Sequence, residues 1–163
     1  AFSIGDAALI LIGEKLGEGD KEYAWRLSKH IIKVGITVGL VIGAITIATA
    51  MPLSGLFKLS EQGRMDTFHI LIVFGATMFL DVFGGLMITG VLRAGGDTRF
   101  AMLAECSTVW FVAVPLAFIA ALVLHLPIHL AVLLTRAESV VKGCILLYRY
   151  RSGKWVNTVI EDL

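Results

Sequence analysis

Residues Leu86 to Met102 read L-M-I-T-G-V-L-R-A-G-G-D-T-R-F-A-M, and they form the seam between two long apolar segments. An apolar run closes at Leu92, Arg93 follows, Gly95-Gly96-Asp97 makes a tight polar turn, and apolar residues resume at Phe100. Paired glycines supply the positive φ that a short reversal needs, and a neighbouring Asp supplies local side-chain hydrogen bonds. Arg93 stands where it can cap the final carbonyls of one helix and meet anionic headgroups, and Asp97 where it can cap the helix starting near Thr98. The stretch predicts a hairpin between two membrane-spanning helices.

Composition puts the whole chain in the same class. Of 163 residues, 57% are hydrophobic and only 17% charged, and the mean hydropathy is +0.85, too apolar for an ordinary soluble domain. The apolar residues gather in runs of about twenty, the length needed to cross a hydrocarbon core of roughly 30 Å. A net charge of +1 without a separate basic stripe argues against a nucleic-acid partner. Cys106 and Cys144 lie inside apolar segments without ligand-like spacing, so they read as reduced packing residues, with no disulfide, metal or cofactor implied. The first residues lack a basic region and a cleavage site, and Asp6 interrupts their apolar run. They are expected to be the tail of a helix that begins outside this chain.

Residues 1–12 span only about 18 Å as helix, and Gly13, Gly17 and Gly19 are expected to break it. Asp20 then suits an N-cap, with Glu22 in the first turn. Tyr23, Leu27, Ile31 and Val34 recur at helical spacing opposite Lys21, Arg26, Lys29 and Lys33, which predicts an amphipathic helix lying at the interface near Trp25. A first complete span runs from about Ile31 to Met51, with Gly35, Gly39 and Gly43 lining one face for close helix approach and Pro52 and Ser54 ending it. A polar loop over 54–66 contains Lys58 and Arg64. The second span is 67–92, the third 100–124 with a kink at Pro115, and the fourth 128–148 after a short turn at 125–127.

Lys15, Lys21, Arg26, Lys29 and Lys33, then Arg93 and Arg99, then Arg149, Arg151 and Lys154 share one side of this arrangement, against Lys58 and Arg64 on the other. By the positive-inside tendency, loops 13–30 and 93–99 and the C-terminus are cytoplasmic.

Five Asp, Glu, Lys or Arg residues fall inside the second to fourth predicted spans: Asp81, Glu105, Arg136, Glu138 and Lys142. Groups at that depth cost at least a few kcal/mol on insertion scales, so they face a partner, a bundle interior or a watery cavity. Asp81 suits a carboxylate that exchanges a proton or a sodium ion, with an interhelical hydrogen bond as the rival role. Glu138 and Lys142 are four apart with the acid first, the better orientation for an ion pair, either structural or gating. Arg136 lies on another face, open to Glu105 or to a carboxylate on a helix outside the chain. Gly13 to Gly19 lacks the G-K-[ST] ending of a phosphate loop. His30, His69, His125 and His129 read as surface residues, and Trp110, Phe111 and Phe118 as core or lipid-facing residues of which a drug chamber would use some.

The motif G-V-L-R-A-G-G-D-T-R-F, from Gly90 to Phe100, resembles the signature at the tenth helix of the multidrug and toxic compound extrusion (MATE) family of cation-coupled exporters. Three flanking stretches agree in order: G-E-K-L-G-E-G-D at Gly13 to Asp20 is similar to the glycine-rich loop after helix eight, Pro115 to a proline of helix eleven, and R-S-G-K-W at Arg151 to Trp155 to the ending after helix twelve. Gly90, Arg93, Gly95, Gly96 and Asp97 are the family-motif turn, with turn-making and topogenic roles favoured over substrate contact. The resemblance spans the chain but less than half of a family member. It implies an all-α membrane protein, 1–163 being part of the C-terminal six-helix lobe of a twelve-helix transporter. In those terms 1–12 ends helix eight, 20–53 holds the interfacial helix and helix nine, 67–92 is helix ten, 100–124 helix eleven, 128–148 helix twelve, and 149–163 a cytoplasmic tail.

The resemblance further implies a plasma-membrane antiporter that exports organic, cationic or amphipathic compounds in exchange for sodium ions or protons. Its partners would be membrane lipids, small organic substrates, an N-terminal lobe and helix seven. A lipid-linked substrate flippase of the same superfamily is one alternative, and a non-transporting scaffold oligomerising through the Gly35-Gly39-Gly43 face is another. No nucleophile with base, metal cluster or cofactor loop suggests an enzyme. The segment alone is expected not to transport: the 163-residue chain reconstituted in vesicles shows no coupled drug flux, and observed flux would contradict this.

Overall fold

The computed structural model describes residues 2–56 and 60–156; Lys58 and the tail after Val156 lie outside them. Helix α1 is Phe2–Gly17, α2 Lys21–Leu56 and α3 Glu61–Leu86, the last continuing with π-type winding over Met87–Leu92. Helix α4, Thr98–Thr108, runs on through a π-wound stretch Val109–Ala113, α5 Val114–Phe118 and a second π-wound stretch Ile119–Val123. Helices α6 (Ile128–Thr135) and α7 (Ala137–Arg151) complete the bundle, followed by a 3₁₀ turn Lys154–Val156.

Helix α1 persists past Gly13 because good helix formers follow it, and Lys15 pairs with Glu18 at 2.7 Å. The break falls instead at Glu18 to Asp20, where Gly19 takes φ 82°. Asp20 caps the next helix as expected, accepting the Tyr23 backbone N–H at 2.9 Å. No separate interfacial helix exists: the amphipathic segment and the first span are one helix of 36 residues, about 54 Å long. No breaker stands between its charged and apolar halves, and it continues through Pro52 to Leu56.

Helices α2 and α3 form a close hairpin. A Cβ on Gly39 would lie 2.8 Å from the Phe79 Cα, and one on Gly43 would strike the Gly75 carbonyl oxygen. The glycine face is therefore filled by α3 within this chain, which removes the oligomerising face on which the scaffold alternative relied.

Among the described residues three helices are long and apolar enough to cross a membrane: Lys21–Gly55, Glu61–Leu92 and Thr98–Val123. Proline 115 has no N–H to give, and the i→i+5 winding before it makes room for its ring: the Val114 N–H reaches back to Val109. The fourth expected span is present in two pieces, α6 and α7, divided at Arg136. The Arg136 N–H is shared between the carbonyls of Val132 and Leu133, at 3.1 and 3.2 Å, a local tightening where α6 meets α7.

The best-buried core lies at the hairpin end of the bundle. Ile12, Leu86, Met87, Val91, Leu92 and Leu146 are sealed there beside Trp155. Trp25, Tyr150 and Trp155 stack on one another with centroids 4.9 to 5.6 Å apart, and the Ser28 and Tyr150 hydroxyls share a hydrogen bond of 2.7 Å. The two hairpin glycines have different reasons. Gly96 takes φ 80°, while Gly95 lies against the Trp155 backbone, so that an added Cβ would collide with its carbonyl oxygen. Neither cysteine packs in this core; Cys106 and Cys144 are exposed on the surface of the chain, because both fall on helix faces turned away from it.

Replacing Gly43 with Val drives a branched side chain into the α3 backbone and costs about 1–3 kcal/mol or more. Thermal unfolding of the complete protein in detergent reads this as a lower midpoint, whereas Gly13→Ala, with open space around its Cβ, leaves the midpoint in place.

Candidate functional site

The five ionisable residues singled out from the sequence fall into two neighbouring charge clusters between α3, α4 and the α6–α7 junction, Asp81 with Arg136 and Lys142 with Glu105 and Glu138. Arg136 Nη1 donates to both Asp81 oxygens, at 2.8 and 3.0 Å, and the Ser139 hydroxyl donates to Asp81 Oδ1 at 3.0 Å. The Arg136 guanidinium also lies 3.8 Å from the ring centroid of Phe74, about two turns earlier on the same face of α3. Arg136 thus finds Asp81 and not Glu105, because Asp81 and Phe74 lie on the side of α3 against which α6 and α7 pack.

The expected i, i+4 pair forms, with Lys142 Nζ 3.2 Å from Glu138 Oε1. Glu105 comes in from α4 on the other side of the same ammonium, also at 3.2 Å. Glu138 is nearly buried and takes a further hydrogen bond from the Thr108 hydroxyl at 2.8 Å. Lys142 passes over Gly84, where a Cβ would come within 3.4 Å of its Cε. The network holds three carboxylates and two bases, so one negative charge is left over when all are ionised. Exposure is graded across it, with the side chains of Glu105, Asp81 and Glu138 at 44%, 33% and 11%.

The family-motif residues have other duties. Asp97 makes no side-chain cap on α4; its carboxylate accepts from Arg149 Nε at 2.6 Å, and that hydrogen bond raises the Arg149 pKa beyond its ordinary value. The long guanidinium, stacked 4.7 Å from the Phe100 ring, reaches the carboxylate before the backbone N–H groups of α4 do. Arg93 does not cap the preceding carbonyls with its side chain; the backbone N–H groups of Gly95, Gly96 and Asp97 bond to Val91, Arg93 and Leu92. Arg93 and Arg99 line an open groove with Ile88, Thr89 and Met102, and Gly90 packs against Ala8 and Gly5 of α1.

At the opposite end, His129 Nδ1 lies 2.9 Å from Asp66 Oδ1, and its ring stands 5.1 Å from that of His69. Sequence reasoning placed these histidines on the surface and missed the pairing, since sixty-three positions separate the partners. Thr108 and Ser139 were missed too, although each stands three residues beyond a charged member, Glu105 and Arg136. Trp110 and Phe111 on the π-wound stretch Val109–Ala113 and Phe118 on α5 are exposed. Among the described residues no group of His, Cys, Asp and Glu is arranged to hold a metal ion.

An all-helical integral membrane protein with a charged network between its helices is the class these features define. The family follows from the comparison with known proteins: a model described as MatE matches residues 1–119, and the chain belongs to that family. The resemblance carried by Gly90 to Phe100 is thereby borne out. The chain is similar to the probable multidrug resistance protein NorM of Pasteurella multocida (strain Pm70), 24% identical over 117 residues, covering 72% of this chain and 25% of that protein. It is similar also to the multidrug resistance protein MdtK of Edwardsiella ictaluri (strain 93-146), 27% identical over 124 residues, covering 74% of this chain and 26% of that protein. The match thus spans about a quarter of each relative's length. No solved structure matches the chain.

Glu138, buried and bonded to both Thr108 and Lys142, is the structural anchor of the network. Glu138→Ala leaves the shared ammonium with one exposed partner and destabilises the bundle by about 3 kcal/mol, whereas Glu105→Ala costs about 1 kcal/mol or less. Detergent melting of the two variants tests the order; equal shifts would contradict it.

Proposed function

We propose that this chain is part of the C-terminal lobe of a twelve-helix multidrug exporter, a carrier and not an enzyme. In that exporter uptake of a sodium ion or proton drives export of organic, cationic or amphipathic compounds. Membership of the MatE family and relatives named as multidrug resistance proteins support efflux. The observation that carries the coupling half is Asp81 itself: a partly accessible carboxylate held by a single base, Arg136, on Glu61–Leu92, a helix long and apolar enough to cross the membrane. An ionised carboxylate at that depth is costly without a cation beside it, so Asp81 is the group best suited to hold a monovalent coupling ion.

Alternating access would then rock this lobe against an N-terminal lobe outside the chain. The glycine-19 loop, the GGD hairpin and the C-terminal turn share one end of the bundle, and the excess of Lys and Arg there supports a cytoplasmic placement in a plasma membrane. Membrane lipids, the missing lobe and helix seven, and small organic substrates are the partners. The flippase alternative has no observation of its own, since no group in the network is suited to a sugar or a pyrophosphate in particular.

Asp81→Asn in the complete carrier tests the assignment. Drug export falls by about an order of magnitude or more and loses its dependence on the cation gradient, while the protein still assembles in the membrane. Unchanged export with unchanged cation dependence would remove Asp81 from the coupling step.

A further inference from the structure

We propose that Arg136 is a tethered cation, occupying on Asp81 the place that the coupling ion takes, so that ion uptake and release of the α6–α7 junction are a single event. This rests on the coupling role proposed for Asp81. The carboxylate receives both its short contacts from one nitrogen of Arg136, at 2.8 and 3.0 Å, with Ser139 on Oδ1. A single donor bridging two carboxylate oxygens stands where a small monovalent cation would sit, and both cannot hold that position together.

Two features make this pair the exchangeable one. Lys142 lies between Glu105 and Glu138 and keeps a partner if either is neutralised. Arg136 has one carboxylate among the described residues, and its second support, the Phe74 face, holds it without neutralising it. The pair is also placed to report its state. Arg136 is itself the residue at which the helix divides: its N–H is shared by Val132 and Leu133, and its carbonyl accepts from Ser139 at 3.1 Å. A guanidinium freed from Asp81 keeps only the Phe74 ring to hold this residue against α3, one anchor in place of two. The same displacement frees Ser139 to follow the cation, since its hydroxyl bonds to the same carboxylate.

The other charged groups of the region leave this competition intact. Lys142, Glu138 and Glu105 are engaged with one another beside Gly84, His129 is engaged with Asp66 at the far end of α6, and α2 presents the uncharged Gly39 and Gly43 to α3.

The test uses the complete carrier in everted vesicles, reading the sodium concentration at half-maximal drug export and, in a parallel series, the pH at half-maximal export. Arg136→Gln removes the competitor, so the sodium midpoint falls about tenfold or the pH midpoint rises by about one unit, whichever ion couples. Arg136→Lys keeps the charge but loses the stacking on Phe74, and it shifts the same midpoint in the same direction by less. Should Arg136→Gln fail to assemble, the Lys variant supplies the reading. Assembled variants with both midpoints unmoved overturn the inference. The exchange D81R/R136D separates the remaining possibility: restored assembly with lost export supports a cation place at position 81, whereas restored wild-type export marks a merely structural pair and overturns the inference. If Asp81→Asn leaves cation dependence intact, the coupling role itself fails. If it abolishes cation dependence while the Arg136 variants shift nothing, only the competition fails.

Discussion

Charge has no free place in a hydrocarbon interior, and this constraint orders the half of the bundle that contains the site. Each of the five charged residues of the site has a partner of opposite sign, and two of the three pairs, Asp81 with Arg136 and Glu105 with Lys142, join different elements. Neutralising Asp81 and Glu105 brings the α6–α7 junction against α3 and α4. The charge pairs thus act as registry marks: they fix which faces meet in a setting where apolar packing alone discriminates poorly, since lipid tails are as apolar as leucine. The hairpin end adds aromatic stacking and small-residue contacts to its one interhelical ion pair, Asp97 with Arg149.

Much of this was legible in the sequence. The GGD turn, the glycine face of α2 and the Glu138–Lys142 pair all follow from local spacing. Helix boundaries were less legible where a nominal breaker sat within otherwise favourable neighbours. Gly13 and Pro52 lie inside helices because the residues around them carry the winding across one weak position. The division of the last span at Arg136 has no such local cue; it accompanies a contact with Asp81, fifty-five positions earlier.

The partners of the charged residues were the hardest to foresee. A count of helical positions says which residues share a face, but the facing element comes from the packing of the whole bundle. Arg136 was open to Glu105, and Asp97 looked like a helix cap; each instead meets a group brought in by the fold, Asp81 in one case and Arg149 in the other. Both outcomes share a cause. A long guanidinium arm spans the gap between helices and competes with any shorter local hydrogen bond.

The seat of Trp155 carries a consequence for biogenesis. Its walls come from the start of α2, from the turn between α3 and α4, and from the last turn of α7, segments made at widely separated times as the ribosome moves along the message. Until residue 155 emerges, Trp25 and Gly95 stand without the ring that joins them. The latch on this face therefore closes only after the last turn of α7 has been made.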